Sequence, residues 1–283
     1  MAVSTNREVL VETGWVEANM SLAGVRLLDV DEDTEAFGRG HIPGALGIHW
    51  KDDLQDPLRR DFIGAEAFAA LMDKLGITND TVVVLYGGNN NWFAAYAYWY
   101  FKYYGHRSVR LMDGGRKKWQ VEKRETTADL TNVARTSGYR VSDSAIEIRA
   151  LRRFVESEVV GHSAFGMVDV RSPEEYRGEL LAPPHLPQEQ AQRPGHIPGA
   201  INIPWAKAVN PDTGAFLSLH ELKALYADKG ITADREIVAY CRIGERSAHT
   251  WFVLHELLGY PRVRNYDGSW TEWGSLVGAP IER

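Results

Sequence analysis

The one cysteine of the chain, Cys241, follows the apolar run Ile237-Val238-Ala239-Tyr240 and opens the segment Cys241-Arg242-Ile243-Gly244-Glu245-Arg246. From Ser247 to Leu258 apolar residues recur at helical spacing, so the pattern predicts a strand-to-helix turn with a thiol at its start. Loop amides aimed at a helix N-terminus, with two guanidinium groups close by, favour negative charge, and the expected state of the sulfur is a thiolate. That chemistry is nucleophilic: Cys241 attacks, and Arg242, Ile243, Gly244, Glu245 and Arg246 receive an anionic substrate. A lone cysteine is more often a small buried hydrophobe. A core position, however, gains nothing from two arginines and a glycine, whereas an anion-binding turn uses the cations and the close backbone approach that Gly244 permits.

The elements that must hold such a turn are set by length and composition. With 283 residues, 44% hydrophobic and 25% charged, the chain reads as ordinary globular material in about two domains. The formal net charge of −6 argues against an electrostatic nucleic-acid surface, so anions must be attracted locally. The first twenty residues lack a sustained apolar stretch behind a basic start, and nowhere do eighteen apolar residues run together. The expectation is a cytoplasmic protein with no membrane partner. One cysteine cannot form an internal disulfide, which fits a reducing compartment. The nine histidines show no tight metal-ligand spacing, so neither metal nor other cofactor is expected.

An internal repeat organises the whole. His41-Ile42-Pro43-Gly44-Ala45 recurs as His196-Ile197-Pro198-Gly199-Ala200, an offset of 196 − 41 = 155. Gly76-Ile77-Thr78 before Val82 to Tyr86 recurs as Gly230-Ile231-Thr232 before Ile237 to Tyr240, and Asp113-Gly114-Gly115 with Trp119 recurs as Asp267-Gly268-Ser269 with Trp273, both at offset 154. A period this long means two tandem homologous domains, not a solenoid. Each copy alternates strands (in the second, Gly166 to Val170, Glu236 to Tyr240 and Val263 to Tyr266) with helices such as Leu219 to Tyr226. The fold class is therefore α/β, two domains each with a mostly parallel sheet flanked by helices, reactive groups lying at the carboxyl ends of strands. The expected boundaries are 1–125 for the first domain, a polar linker at 126–144, and 145–283 for the catalytic domain. The copies differ most before the His-Ile-Pro-Gly-Ala turn: Asp29 to His41 spans 12 positions, Asp169 to His196 spans 27. The extra proline-rich stretch, 181–190, reads as a surface insertion or as a flap near the active turn.

The offset of 154 places Gly87 opposite Cys241, so the first copy has no nucleophile and reads as catalytically silent. Its turn runs Tyr86-Gly87-Gly88-Asn89-Asn90-Asn91-Trp92-Phe93, ahead of the aromatic run Tyr96 to Phe101, which reads as core packing. Trp92 and Phe93, placed in the turn itself, are candidates for an apolar pocket wall. Asp169, ending the first strand of the active copy, is a candidate to orient the turn or an arginine, though its counterpart Asp29 supports a merely structural bond. The same comparison makes His41 and His196 structural.

This constellation resembles the tandem rhodanese family, whose C-terminal domain carries a six-residue Cys-Arg-x-Gly-type loop, whose N-terminal domain lacks the cysteine, and whose domains close on Asp-Gly-Ser/Gly-x-x-x-Trp. The matching residues are Cys241-Arg242-Ile243-Gly244, Gly87, and Asp267-Gly268-Ser269 with Trp273, and the resemblance spans nearly the whole chain. Both loops together are most similar to actinobacterial thiosulfate sulfurtransferases. The resemblance implies that Cys241 takes the outer sulfur of thiosulfate as a persulfide and passes it to cyanide or to a small or protein thiol, with Arg242 and Arg246 receiving the sulfonate oxygens. It also implies a pocket aromatic at Trp205 and a second anion-binding arginine. The position that aligns with that arginine is Glu175, leaving Arg171, Arg177 and Arg193 as candidates. Alternatives are a 3-mercaptopyruvate sulfurtransferase, whose relatives carry Cys-Gly-Ser-Gly; a rhodanese-like phosphatase, whose arginine falls one position later than Arg246; and a sulfur-binding module that does not turn over.

Overall fold

The computed structural model describes residues 9–142, 144–183 and 190–283. Two compact units emerge: residues 9–145 joined by Val209–Phe216, and Ile146–Ala208 with Leu217–Arg283. The heart of the proline-rich insertion, 184–189, lies outside the described residues.

In the first unit the elements run β1 (Leu10–Val11), α1 (Thr13–Asn19), β2 (Val25–Val30), α2 (Ala36–Arg39), β3 (Leu46–Ile48), α3 (Trp50–Leu54), α4 (Ala65–Lys74), β4 (Val82–Tyr86), α5 (Trp92–Tyr103), β5 (Val109–Met112) and α6 (Gly115–Val121). The second unit repeats the pattern with β6 (Arg149–Ala150), α7 (Arg152–Phe154), β7 (Phe165–Asp169), α8 (Pro173–Tyr176), β8 (Ile201–Asn202), α9 (Leu219–Ala227), β9 (Glu236–Tyr240), α10 (Glu245–Trp251), β10 (Val263–Tyr266) and α11 (Ser269–Trp273). Each sheet has five strands, in orders β1-β5-β4-β2-β3 and β6-β10-β9-β7-β8, and every pair is parallel. The fold class is α/β in both copies. β4 and β9 are buried along almost their whole length, as their unbroken apolar runs require of strands covered on both faces.

The repeated motifs have repeated jobs. The hydroxyl of Tyr86 accepts the Ile42 N–H at 3.0 Å, and that of Tyr240 accepts the Ile197 N–H at 3.1 Å, so each strand end is tied to its His-Ile-Pro-Gly-Ala turn. Each turn is clipped in turn by a later segment, His41 pairing with Thr127 and His196 with Glu282. The ring Nδ1 of His41 sits 2.9 Å from the Phe37 carbonyl and that of His196 2.8 Å from the Tyr176 carbonyl, both within the fold's own framework. Phe216 of the segment 209–216 donates its N–H to Asp113 at 2.9 Å within the first unit.

Candidate active site

Cys241 stands one residue past the end of β9, fully buried. Four neighbours fix its backbone and sulfur. Its N–H donates to Ser269 Oγ at 3.1 Å, its carbonyl accepts the Trp270 N–H at 3.0 Å, the Gly244 N–H donates to Sγ at 3.2 Å, and Sγ donates to Glu245 Oε2 at 3.2 Å. Gly244 makes the turn possible. Its φ of +100° lies in the left-handed region, and a Cβ there would stand 2.7 Å from Asp267 Cα. The turn is braced by Asn265, which donates to the Gly244 carbonyl at 3.0 Å and accepts the Ser247 hydroxyl at 2.7 Å.

Because the turn closes at Gly244, α10 begins at Glu245, two residues before the helix expected from spacing alone. Glu245 and Arg246 therefore occupy its first turn, not the loop. Three buried ion pairs occur in this half: Arg242 with Glu245 (3.1 Å) and Arg246 with Glu175 (2.8 Å) at the turn and helix start, and Arg171 with Asp169 (2.6 Å) at the end of β7. The Arg246–Glu175 pair is bidentate, the second bond being 3.0 Å, and Arg246 Nε also lies 3.7 Å from Glu245 Oε1.

Burial and one of these carboxylates act on the thiol against the lowering expected from the loop. Burial, followed by the Glu245 carboxylate, pushes the Cys241 thiol above its ordinary range, and the pull of Arg246 and of hydrogen bonds from Ser247 does not cancel them. The arginines that spacing places beside the sulfur are there, but each already holds a buried carboxylate that spacing does not reveal. Burial is the largest influence on Glu175 and opposes its ionisation, yet Arg246 and Arg171 together hold its carboxyl below the usual range.

The other expected positions divide. Asp169 accepts the Arg171 N–H and both Nε and Nη2 of that side chain, while Arg171 lies 4.7 Å over the Trp270 ring. Trp205 sits in a 3-10 turn and meets the His249 ring edge-on, with centroids 5.2 Å apart. Arg193 is exposed and donates to the carbonyl of its neighbour Gln192, and Arg177 is exposed and pairs with Glu179. Neither carries a hydrogen bond to the turn among the described contacts. Trp92 and Phe93 are not loop residues: they begin α5 and are buried, with the Phe93 ring tilted against that of Trp50, centroids 4.7 Å apart. The physical reason is the run Asn89, Asn90 and Asn91, with φ of 45°, 56° and 65°, which completes the silent turn before Trp92. Sequence reasoning noted Glu175 only as the residue standing where the family pattern has an arginine, and missed its pairing with Arg246. Its signal was the capping box Ser172-x-x-Glu175, which fixes the helix start but cannot show that the same carboxylate also grips Arg246. Among the described residues no group of three or more His, Cys, Asp or Glu side chains is placed to hold a metal ion.

A strand-end cysteine cradled by a loop and a helix start, with a thiol-less twin in a second sheet of identical order, defines the rhodanese type of sulfur-transfer site. The Rhodanese-like domain model matches residues 12–122 and 151–276, and the chain belongs to the rhodanese family of sulfurtransferases. It is 57% identical over 275 residues, 97% of this chain and 98% of the other, to a Mycolicibacterium smegmatis protein provisionally named a thiosulfate sulfurtransferase. It is 58% identical over 278 residues, 98% of this chain and 97% of the other, to the sulfur carrier protein TtuD of Thermus thermophilus. Among solved structures, an EanB variant in complex with ergothioneine aligns with a TM-score of 0.84 at 25% identity, covering all of this chain and 71% of that one. No helix among the described residues is long and apolar enough to cross a membrane.

Proposed function

We propose that this chain is a thiosulfate sulfurtransferase working in two steps through a persulfide on Cys241. The sulfur of Cys241 attacks the outer sulfur of thiosulfate, the S–S bond of the donor breaks with its electron pair leaving on sulfite, and the enzyme keeps one sulfur. A thiophilic acceptor, cyanide or a small or protein thiol, then removes it. The observation that carries this reading is the placement of Sγ under the Gly244 N–H at 3.2 Å, with Arg242 in the same turn and Arg246 at the start of α10. Such fixed donors stabilise a persulfide anion without reorganisation, each worth about 3 kcal/mol of barrier in comparable anion holes. The name of the Thermus thermophilus relative, a sulfur carrier, favours a protein among the acceptors.

We read 1–125 as a catalytically silent domain, 126–144 as a linker and 145–283 as the catalytic domain, although 126–144 and Val209–Phe216 group with the first compact unit. What supports this is Gly87, where an added Cβ would meet the Val30 carbonyl oxygen at 2.1 Å. The test is intact mass after incubation with thiosulfate. One added sulfur on the wild type and none on Cys241→Ser is expected, with kcat/KM higher for thiosulfate than for 3-mercaptopyruvate. A preference for mercaptopyruvate overturns the donor, and absence of added sulfur overturns the persulfide.

A further inference from the structure

A carboxylate beside the attacking sulfur is electrostatically adverse if both are to be anions, because like charges within hydrogen-bond distance in a buried site cannot both persist cheaply. Yet Glu245 is fully buried and touches Sγ. Its geometry is over-determined: Oε2 accepts the Cys241 thiol at 3.2 Å and the Ile243 N–H at 3.2 Å, while Oε1 accepts Arg242 Nη2 at 3.1 Å. The charged groups facing it are Arg242 from the turn and Arg246 from its own helix, with Glu175 of α8 behind Arg246.

The silent copy supplies an independent observation. The position matching Glu245 is Asn91, since 245 − 154 = 91, and Asn91 uses Oδ1 to accept the Gly87 N–H at 2.9 Å and Nδ2 to donate to the Met112 carbonyl at 2.6 Å. An amide braces that turn equally well but cannot take a proton. Only the copy with a thiol has a group there that can.

We propose that Glu245 is the catalytic base of sulfur loading: it takes the Cys241 proton as Sγ attacks, and returns it to the departing sulfite. The inference rests on the persulfide reading above. The atoms and charges balance. The S–H bond breaks and the Cys241 S–S bond forms; the donor S–S bond breaks with its electrons going to sulfite; thiosulfate dianion and neutral thiol become persulfide anion and bisulfite. The proton moves from Sγ to Oε2 and then to a sulfite oxygen. While Glu245 is neutral, Arg242 and Arg246 lose one anionic partner and turn their charge toward the donor. The 3.2 Å contact from Sγ to Oε2 gives the proton a direct path to the carboxylate.

The experiment is single-turnover sulfur loading by rapid quench and intact mass, run from mildly acidic to mildly alkaline pH in wild type, Glu245→Gln and Glu245→Asp. In Glu245→Gln the loading rate at neutral pH falls by about 10²- to 10³-fold and climbs about tenfold per pH unit, while Glu245→Asp recovers part of the loss. Wild type slows about twofold or more in heavy water. A Glu245→Gln variant as fast as wild type or faster at neutral pH overturns the proposal, because the carboxylate then only burdens the thiol. If that variant does not fold, a heavy-water effect of unity in wild type overturns it alone. Alkylation of Cys241 by iodoacetamide needs no sulfur donor. Slower alkylation in Glu245→Gln than in wild type supports the base even where thiosulfate fails to load, an outcome that sinks the donor assignment and leaves the proton path standing.

Discussion

The segments Gly87 to Trp92 and Cys241 to Arg246, each a turn running into a helix start, occupy the same place in two sheets of the same order, and nearly every chemical group differs between them. The silent turn bends through three left-handed asparagines, the catalytic one through Gly244 alone. Arg246 stands where the silent copy has Trp92 and Trp270 where it has Arg116, both at offset 154. As a result the strand-end aspartate is satisfied from opposite directions. Asp29 is gripped by Arg116 of α6 at 2.7 Å, whereas Asp169 is gripped by Arg171, two residues along its own chain. The difference teaches that the aspartate belongs to the scaffold while the source of its cation varies, the backbone N–H at the matching position holding the turn carbonyl in both copies: Arg116 to Gly87 at 2.9 Å and Trp270 to Cys241 at 3.0 Å.

The sharpest break of this comparison exchanges the two defining residues. Cys241→Ser lowers kcat/KM for sulfur transfer by about 10⁴-fold or more, as loss of a nucleophile does. Gly87→Cys gains no activity and lowers the unfolding midpoint of the first unit, because its Cβ collides with the Val30 carbonyl; sulfur on position 87 by mass spectrometry would disprove the silence of that turn. Next come the paired glutamates. Glu175→Ala strands the buried Arg246 and costs about 3–5 kcal/mol in urea unfolding, with sulfur transfer lost alongside. Its counterpart Glu35, at offset 140, is exposed, and Glu35→Ala stays within about 0.5 kcal/mol.

Smaller effects follow at the bend. Gly244→Ala meets Asp267 and a left-handed φ together and costs about 1–3 kcal/mol, whereas Asn90→Gly, at the matching position, stays within about 0.5 kcal/mol by the same unfolding assay. At neutral pH the smallest effect belongs to His249, whose counterpart is Ala95. Burial pushes the His249 imidazole down to about 3 from its ordinary 6.5. The unfolded chain therefore binds the extra proton first, so the contribution of neutral His249 is full above about 6.5 and is lost as pH falls toward about 3. His249→Asn flattens that acid limb in pH-dependent unfolding of the second unit; an unchanged limb would remove His249 as its cause.

Much of this was legible in the chain itself. The strands Glu236–Tyr240 and Val263–Tyr266 fall where the apolar runs place them, and the repeat fixes both the α/β class and the loss of the nucleophile at Gly87. The boundaries that slipped did so for local reasons: Gly244 starts α10 early, and three asparagines deliver Trp92 and Phe93 to a helix instead of a loop. The thiol's raised pKa was not legible, because it depends on burial and on a hydrogen bond to Glu245 whose direction spacing does not set. Nor was Glu175, since its partner Arg246 lies 71 positions away. Periodicity reports which face a residue occupies; it says nothing of which distant charge meets it there.

The parallel pairing of every strand has a consequence for how the enzyme comes into being. Among the described sheet strands none pairs with its neighbour through a short hairpin, so each sheet pairing waits for a crossover to be completed. Cys241 is held by Ser269 and Trp270, which leave the ribosome after it does. The growing chain thus carries its nucleophile for some thirty residues of translation before the cradle exists. A chain released before α11 would carry the thiol without the Ser269 and Trp270 contacts that hold it.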